Sequence, residues 1–162
     1  MSEGSRETID DHPRRVDGDN PSNRGRTSEQ PRPEMTAYAP QTTVDTMARI
    51  AAGVDPWIAY RDFLEDWTYM PESRADLMAC EPGSDDEEQL RWAALLAASI
   101  DALCARDGLI APAWTQRRDY RLAEPWFLYE GTGRMREWLR ESTPQPFASR
   151  NIWSGDRILR RT

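Results

Sequence analysis

Residues 112–130, PAWTQRRDYRLAEPWFLYE, set Trp114 and Trp126 close behind prolines and put Arg117, Arg118 and Arg121 between them. Proline restricts its own φ, so a bulky ring that follows is aimed in a set direction. Three kinds of chemistry suit this pattern. Aromatics interleaved with arginine can stack on single-stranded bases. Tryptophan and arginine are also the residues that dominate protein–protein interfaces. The third reading is architectural, with the two indoles closing over a helical core. The binding expectation is that Trp114, Trp126 and Phe127 act as apolar anchors, with Arg117, Arg118 and Arg121 on the rim.

Other chemistries have less to work with. General acid–base catalysis most often uses histidine, and His12 is the single histidine of the chain. No Ser-His-Asp, Cys-His or histidine-based metal constellation can be built. A glycine-rich phosphate loop is missing too; EGTGRMR, Glu130 to Arg136, reads as an ordinary helix start or as a small anion site. Asp62, Glu65 and Asp66 share one expected helix and Asp85 to Glu88 begin another. Adjacent helical carboxylates point around the axis rather than at one ion, so dipole complementation is expected over a hard-metal site. Cys80 and Cys104 have no framework spacing and are expected as reduced thiols. No catalytic residue, cofactor or metal ligand is expected, and the chain reads as a non-enzyme.

The elements that must position these residues are helical. TVDTMARIAAG predicts a helix capped by Thr43 and ended by Gly53, with Val44, Met47, Ala48 and Ala51 on its stripe. Asp55 as cap and Pro56 at the first helical position start a second helix. Trp57, Tyr60, Phe63, Leu64 and Trp67 recur along it at core spacing, and Pro71 stops it. A single turn is expected around Leu77. The longest helix is expected from a Ser84 cap to Gly108, burying Leu90, Ala93, Ala94, Ala97, Ile100 and Cys104, with Leu96 and Leu103 beside them. Leu109 would then pack back over a Schellman end. Trp92 falls off that stripe and would face a second layer or a partner. TGRMREWLRES predicts a short helix with Met135, Trp138 and Leu139 inward. One turn after Pro146 and a last short helix from Asp156 complete the reading, and no strand pattern is evident. Trp57, Trp67 and Trp138 are assigned to the core.

Composition bounds the rest. The first forty-odd residues are rich in Pro, Gly, Ser and charge and poor in large apolar side chains, the signature of a disordered segment. The fold class is therefore mainly α: a small irregular helical bundle over 43–162, preceded by a disordered N-terminal tail over 1–42. The net charge of −7 hides a polarity. Residues 1–42 carry six arginines against eight acids, 43–110 five against fourteen, and 111–162 ten against six. An acidic middle and a basic end favour a charged partner or contact between the two halves. The segment MARIAAGVDPWIAYRDFL has the outline of a helix-turn-helix. Its would-be recognition helix is too acidic to lie among phosphates. No apolar leader or membrane-length run is seen, so a cytoplasmic location is expected.

DPWIAYRDFLEDW, then PAWT, LAEPWF and TPQPFASRNIW together resemble a group of small helical actinobacterial proteins with PAW, PWF and RNI segments. That group is associated with toxin–antitoxin-like gene pairs, and related segments occur behind helix-turn-helix regulators. The resemblance spans residues 44–153 and brings no catalytic residues with it. It implies an antitoxin-like interaction module that neutralises a protein partner with a basic surface. Where the regulator-fused forms carry a DNA-binding domain, this chain has its polar tail. The alternative expectation is a DNA- or RNA-binding regulator acting through the basic C-terminal third.

Overall fold

A computed structural model describes residues 38–160. The expected disordered tail lies outside the described residues as far as position 37. Six α-helices, together with three short 3₁₀ turns, make up most of the described chain: α1 (Thr43–Ala51), α2 (Pro56–Tyr69), α3 (Arg74–Leu77), α4 (Glu87–Asp107), α5 (Arg134–Ser142) and α6 (Gln145–Ala148). Two-residue strands β1 (Trp126–Phe127) and β2 (Ile152–Trp153) pair in parallel, Trp126 opposite Ile152 and Phe127 opposite Trp153. No strand was expected there. Two residues are too few to show the period-two alternation that reveals a strand in sequence.

Helices α1, α2 and α4 each start on a side-chain cap. Thr42, one residue before the expected cap, bonds Asp45 N while Asp45 closes the capping box. Asp55 caps α2 with Pro56 behind it, as the sequence predicts. Asp86 rather than Ser84 caps α4, because its side chain accepts from the Gln89 N–H at 2.8 Å. Glu87 and Glu88 then complement the helix dipole. Gly108 ends α4 in the left-handed conformation, and the Leu109 N–H bonds Cys104 O at 2.8 Å. The Leu109 side chain stays exposed rather than packing back.

The 21-residue α4 runs through the middle of the core. Every residue from Trp92 to Ile100 is buried, so the helix is covered all round rather than along the expected stripe. Helix α1 packs on α2 and α4; its buried residues are Thr43, Thr46 and Met47, while Val44, Ala48 and Ala51 face outward. The hydroxyls of Thr43 and Thr46 bond Cys80 O and Thr42 O, which lets polar side chains occupy the buried face. Across the α2–α4 contact, Tyr60 and Ser99 share a 2.7 Å hydroxyl bond and the Trp67 indole donates to Asp107 at 2.9 Å. Helix α6 and the 3₁₀ turns 113–116 and 118–120 cover other faces of α4.

The boundary expected at 42 falls inside the folded unit. Gln41 is buried; its backbone N–H donates to Asp66 at 2.6 Å, and its amide donates to Ala59 O and Thr46. The Tyr38 hydroxyl also donates to Asp66, at 2.6 Å, and that bond pushes the phenol up to about 12. At the other end, residues 156–160 form turns rather than the expected last helix.

Candidate partner-binding surface

The six expected partner-binding residues do not gather into one surface. Trp114 is a lid: it is 9% exposed, donates its indole N–H to Met78 O at 3.0 Å, and sits edge-on to Tyr120. Tyr120 is buried beneath it and donates to Glu81 at 2.9 Å; burial, then that bond, pushes its phenol well up. Arg117 is 2.8 Å from Glu81 and 3.2 Å from Asp119, so its charge is engaged within the fold. Arg118 and Arg121 are exposed, and neither makes an ion pair among the described residues. Trp126 and Phe127 lie elsewhere, half-buried on β1. Trp126 rests edge-on to Trp92 at 5.3 Å. Phe127 stacks beside Trp153 and carries the guanidinium groups of Arg136 at 4.9 Å and Arg140 at 5.3 Å.

Sequence reasoning passed over Arg150, which proves central to the architecture. It is 5% exposed, pairs with Asp101 at 2.5 Å, and donates to Thr115 O and Pro146 O at 2.6 Å each. Asn151 beside it adopts a left-handed φ of 62°, which asparagine tolerates, and its amide donates to Leu122 O. Phe147 and Ile152 are fully buried. The F-x-x-R-N-I ending therefore clamps the C-terminal segment onto α4 and onto the turn that carries Trp114. Its signal in the sequence was an arginine set between apolar residues with no neighbouring acid.

The open surface is on another side. Among the described residues ten large hydrophobics are exposed, and five of them, Trp57, Ile58, Tyr129, Met135 and Trp138, line one groove of about 740 Å³. Trp57 (44% exposed), Trp138 (41%) and Met135 were expected in the core. Trp57 lies in the first turn of α2, where its ring meets those of Trp92 and Tyr60 edge-on and stays partly open. Helix α5 is short and fully buries Leu139 alone, while Met135 and Trp138 stay partly open, Trp138 with its ring edge against Gly155. Arg61, Glu65 and Arg157 supply polar groups to the groove. A concave apolar surface with few polar groups is the usual form of a binding site.

No family model, curated protein or solved structure matches this chain.

Charge pairing separates the molecule into two parts. Eight arginines pair with carboxylates. Arg118, Arg121, Arg134, Arg136, Arg140 and Arg157 have no carboxylate partner among the described residues, and all lie in the C-terminal third. In the acidic middle, Glu72, Asp76, Asp85 and Glu88 are the carboxylates that neither cap, pair nor bond among the described residues. The Arg150–Asp101 and Arg117–Glu81 pairs join the basic end to the acidic middle. Two such pairs close only a small part of the charge polarity, and Glu72, Asp76, Asp85 and Glu88 are the acidic groups of the middle left open to a basic partner.

Both thiols are free: Cys80 is exposed, and Cys104 is buried with its sulfur 3.5 Å from Met78 Sδ. Burial pushes the Cys104 thiol up to about 11, which suits a packing role. Among the described residues no three metal-ligating side chains converge, and no helix is long and apolar enough to cross a membrane.

Proposed function

We propose that this chain is a non-enzymatic, cytoplasmic protein-interaction module that docks a partner in the groove between α2 and α5. The observation that carries the reading is the convergence of half the exposed large hydrophobics on that groove. Scattered exposed apolar residues are ordinary, whereas a contiguous concave patch of aromatics is not. Met135, Trp138 and Tyr129 on one wall and Trp57 and Ile58 on the other offer two faces to an apolar side chain. Arg157, without a carboxylate partner, and the loosely paired Arg61 and Glu65 supply a polar rim. The concrete form of this role is an antitoxin-like neutraliser whose partner brings a basic patch against Asp85 and Glu88.

The test is co-expression with the product of the adjacent gene. Neutralisation should relieve growth inhibition and give a complex that survives nuclease. Met135→Glu, on the exposed wall, should abolish both while the circular dichroism spectrum stays unchanged. Retention of the complex by Met135→Glu would remove the groove from the interface.

Six arginines of the C-terminal third that have no carboxylate partner among the described residues favour a second reading, binding of DNA or RNA. Phosphate contacts by several arginines would make affinity fall steeply between about 50 and 200 mM salt. Anisotropy with labelled duplex and single-stranded oligonucleotides separates the readings, since groove docking of a protein gives no oligonucleotide signal at any salt concentration.

A further inference from the structure

The groove between α2 and α5 restricts the backbone of whatever docks in it. On one side Trp57, Ile58 and Leu64, continuing to Glu65, cover about 12 Å of α2, a little over two turns. On the other, Met135 and Trp138 line it from α5 at three-residue spacing, on one face of that helix. A helix spends its N–H and C=O groups internally, so neither wall offers an edge for an extended segment to pair with. Other polar groups of the lining are already used: the Tyr60 hydroxyl is shared with Ser99 at 2.7 Å, and the Ser154 hydroxyl donates to Gly155 O at 3.0 Å. An extended segment pressed onto these walls would bury backbone groups without partners. A helix arrives with its backbone satisfied and presents only side chains.

Charge then sets the sign of that helix. The lining holds Arg61, Arg157 and Glu65. Arg61 lies 3.6 Å from Glu65 and 3.7 Å from Asp62, and Asp62 is held closer by Arg49, at 2.9 Å. Arg157 is exposed and has no carboxylate partner among the described residues; its neighbour Asp156 is taken by Arg160 at 2.6 Å. On α5, Arg134 and Glu141 flank Trp138 at one turn's spacing and offset each other. The lining is left with the positive charge of Arg157. A basic segment would be repelled by it and would have to compete with Arg61 for Glu65. We infer that the groove takes an amphipathic helix of a partner protein, with two apolar anchors one turn apart and a carboxylate placed to meet Arg157. This rests on groove docking as the role of the chain and names the chemistry of the occupant. Asp85 and Glu88 at the start of α4 ask for the opposite sign, so a partner serving both carries an acidic helix and a basic patch.

The test is a display selection of random linear peptides on the full chain, with counter-selection on Met135→Glu so that groove-dependent binders are kept. The surviving pool should pair large apolar residues at three- or four-residue spacing and be enriched in Asp and Glu over Lys and Arg. Selection on Arg157→Glu should reverse that preference. An acidic peptide from the first pool should gain helical circular dichroism on binding and lose about threefold in affinity to Arg157→Gln, as expected for an exposed ion pair. A pool as rich in basic as in acidic residues, or a preference unmoved by Arg157→Glu, would overturn the inference and leave groove docking standing. Binders that stay extended would do the same. Recovery of no groove-dependent binder would overturn groove docking itself. A dimer dispersed by Met135→Glu in sedimentation equilibrium would give the groove to a second copy and overturn the inference as well.

Discussion

Trp114 and Trp126 enter the fold by the same device, a proline one or two residues earlier, and end in opposite situations. Trp114 swings over the core, finds Met78 O for its indole N–H, and meets the buried Tyr120 edge-on. Trp126 leans on Trp92 and remains a wall of an open cavity. The difference lies in what arrives from elsewhere in the chain. Arg150 ties the Thr115 carbonyl to Asp101 and seats the turn that carries Trp114. Trp126 is held by a two-residue strand pairing, and the neighbouring α5 contributes one buried residue. An indole is amphipathic, so either fate is open to it. A hydrogen-bond acceptor within reach and a clamp on its backbone decide for burial.

The contrast is broken most severely at the clamp. Arg150→Ala leaves Asp101 as a buried charge without its guanidinium and should destabilise by about 3–5 kcal/mol in urea unfolding, loosening Trp114 with it. Trp114→Ala should follow closely, about 3–4 kcal/mol, as large-to-small core changes do. Trp126→Ala removes a half-open wall and should cost about 1–2 kcal/mol. If the two tryptophan variants melt alike, the division into a clamped side and an open side fails.

Acid should act on the clamped side as well. Asp107 is held down at about 2 by the Arg106 hydrogen bond, then by the Trp67 indole N–H and the charges of Arg106 and Arg74. A depressed folded value favours the ionised form, so its contribution is intact above about pH 4 and is lost as pH falls toward 2. The indole Nε1–H resonance of Trp67 should shift through that window, and Asp107→Asn should remove the dependence. The smallest effect on stability is expected at the groove. Met135→Glu should change unfolding free energy by about 0.5 kcal/mol or less while abolishing partner binding. A large loss of stability there would mean that α5 is packed more tightly than its single buried residue indicates.

How much of this was legible depends on the range of the interaction. The Asp55-Pro56 start, the Gly108 end and the mainly helical class are local events, and the residues that cause them are within a few positions of one another. Thr43 and Ser84 were one and two residues away from the true caps, Thr42 and Asp86. Several capping residues stand side by side there, and only backbone geometry chooses among them. Periodicity placed Trp67 in the core correctly and Trp57 and Trp138 incorrectly. A stripe records that one face is apolar, without recording whether another element reaches it. Trp92, off its stripe, is buried with the rings of Trp57 and Trp126 packed edge-on against it.

The candidate surface divides along the same line. By itself the sequence determined which side chains could bind, a chain rich in tryptophan and arginine with its only histidine at position 12. It also determined where helices begin and end, since capping and proline act through neighbouring backbone groups. The tertiary structure alone decided which indoles are walls and which are core. It also decided which arginines are consumed by Asp101, Glu81 and Asp107 and which keep their charge for something else. Burial and ion pairing belong to pairs of groups far apart in the chain, 49 residues in the case of Arg150 and Asp101. No spacing within either segment reports that meeting.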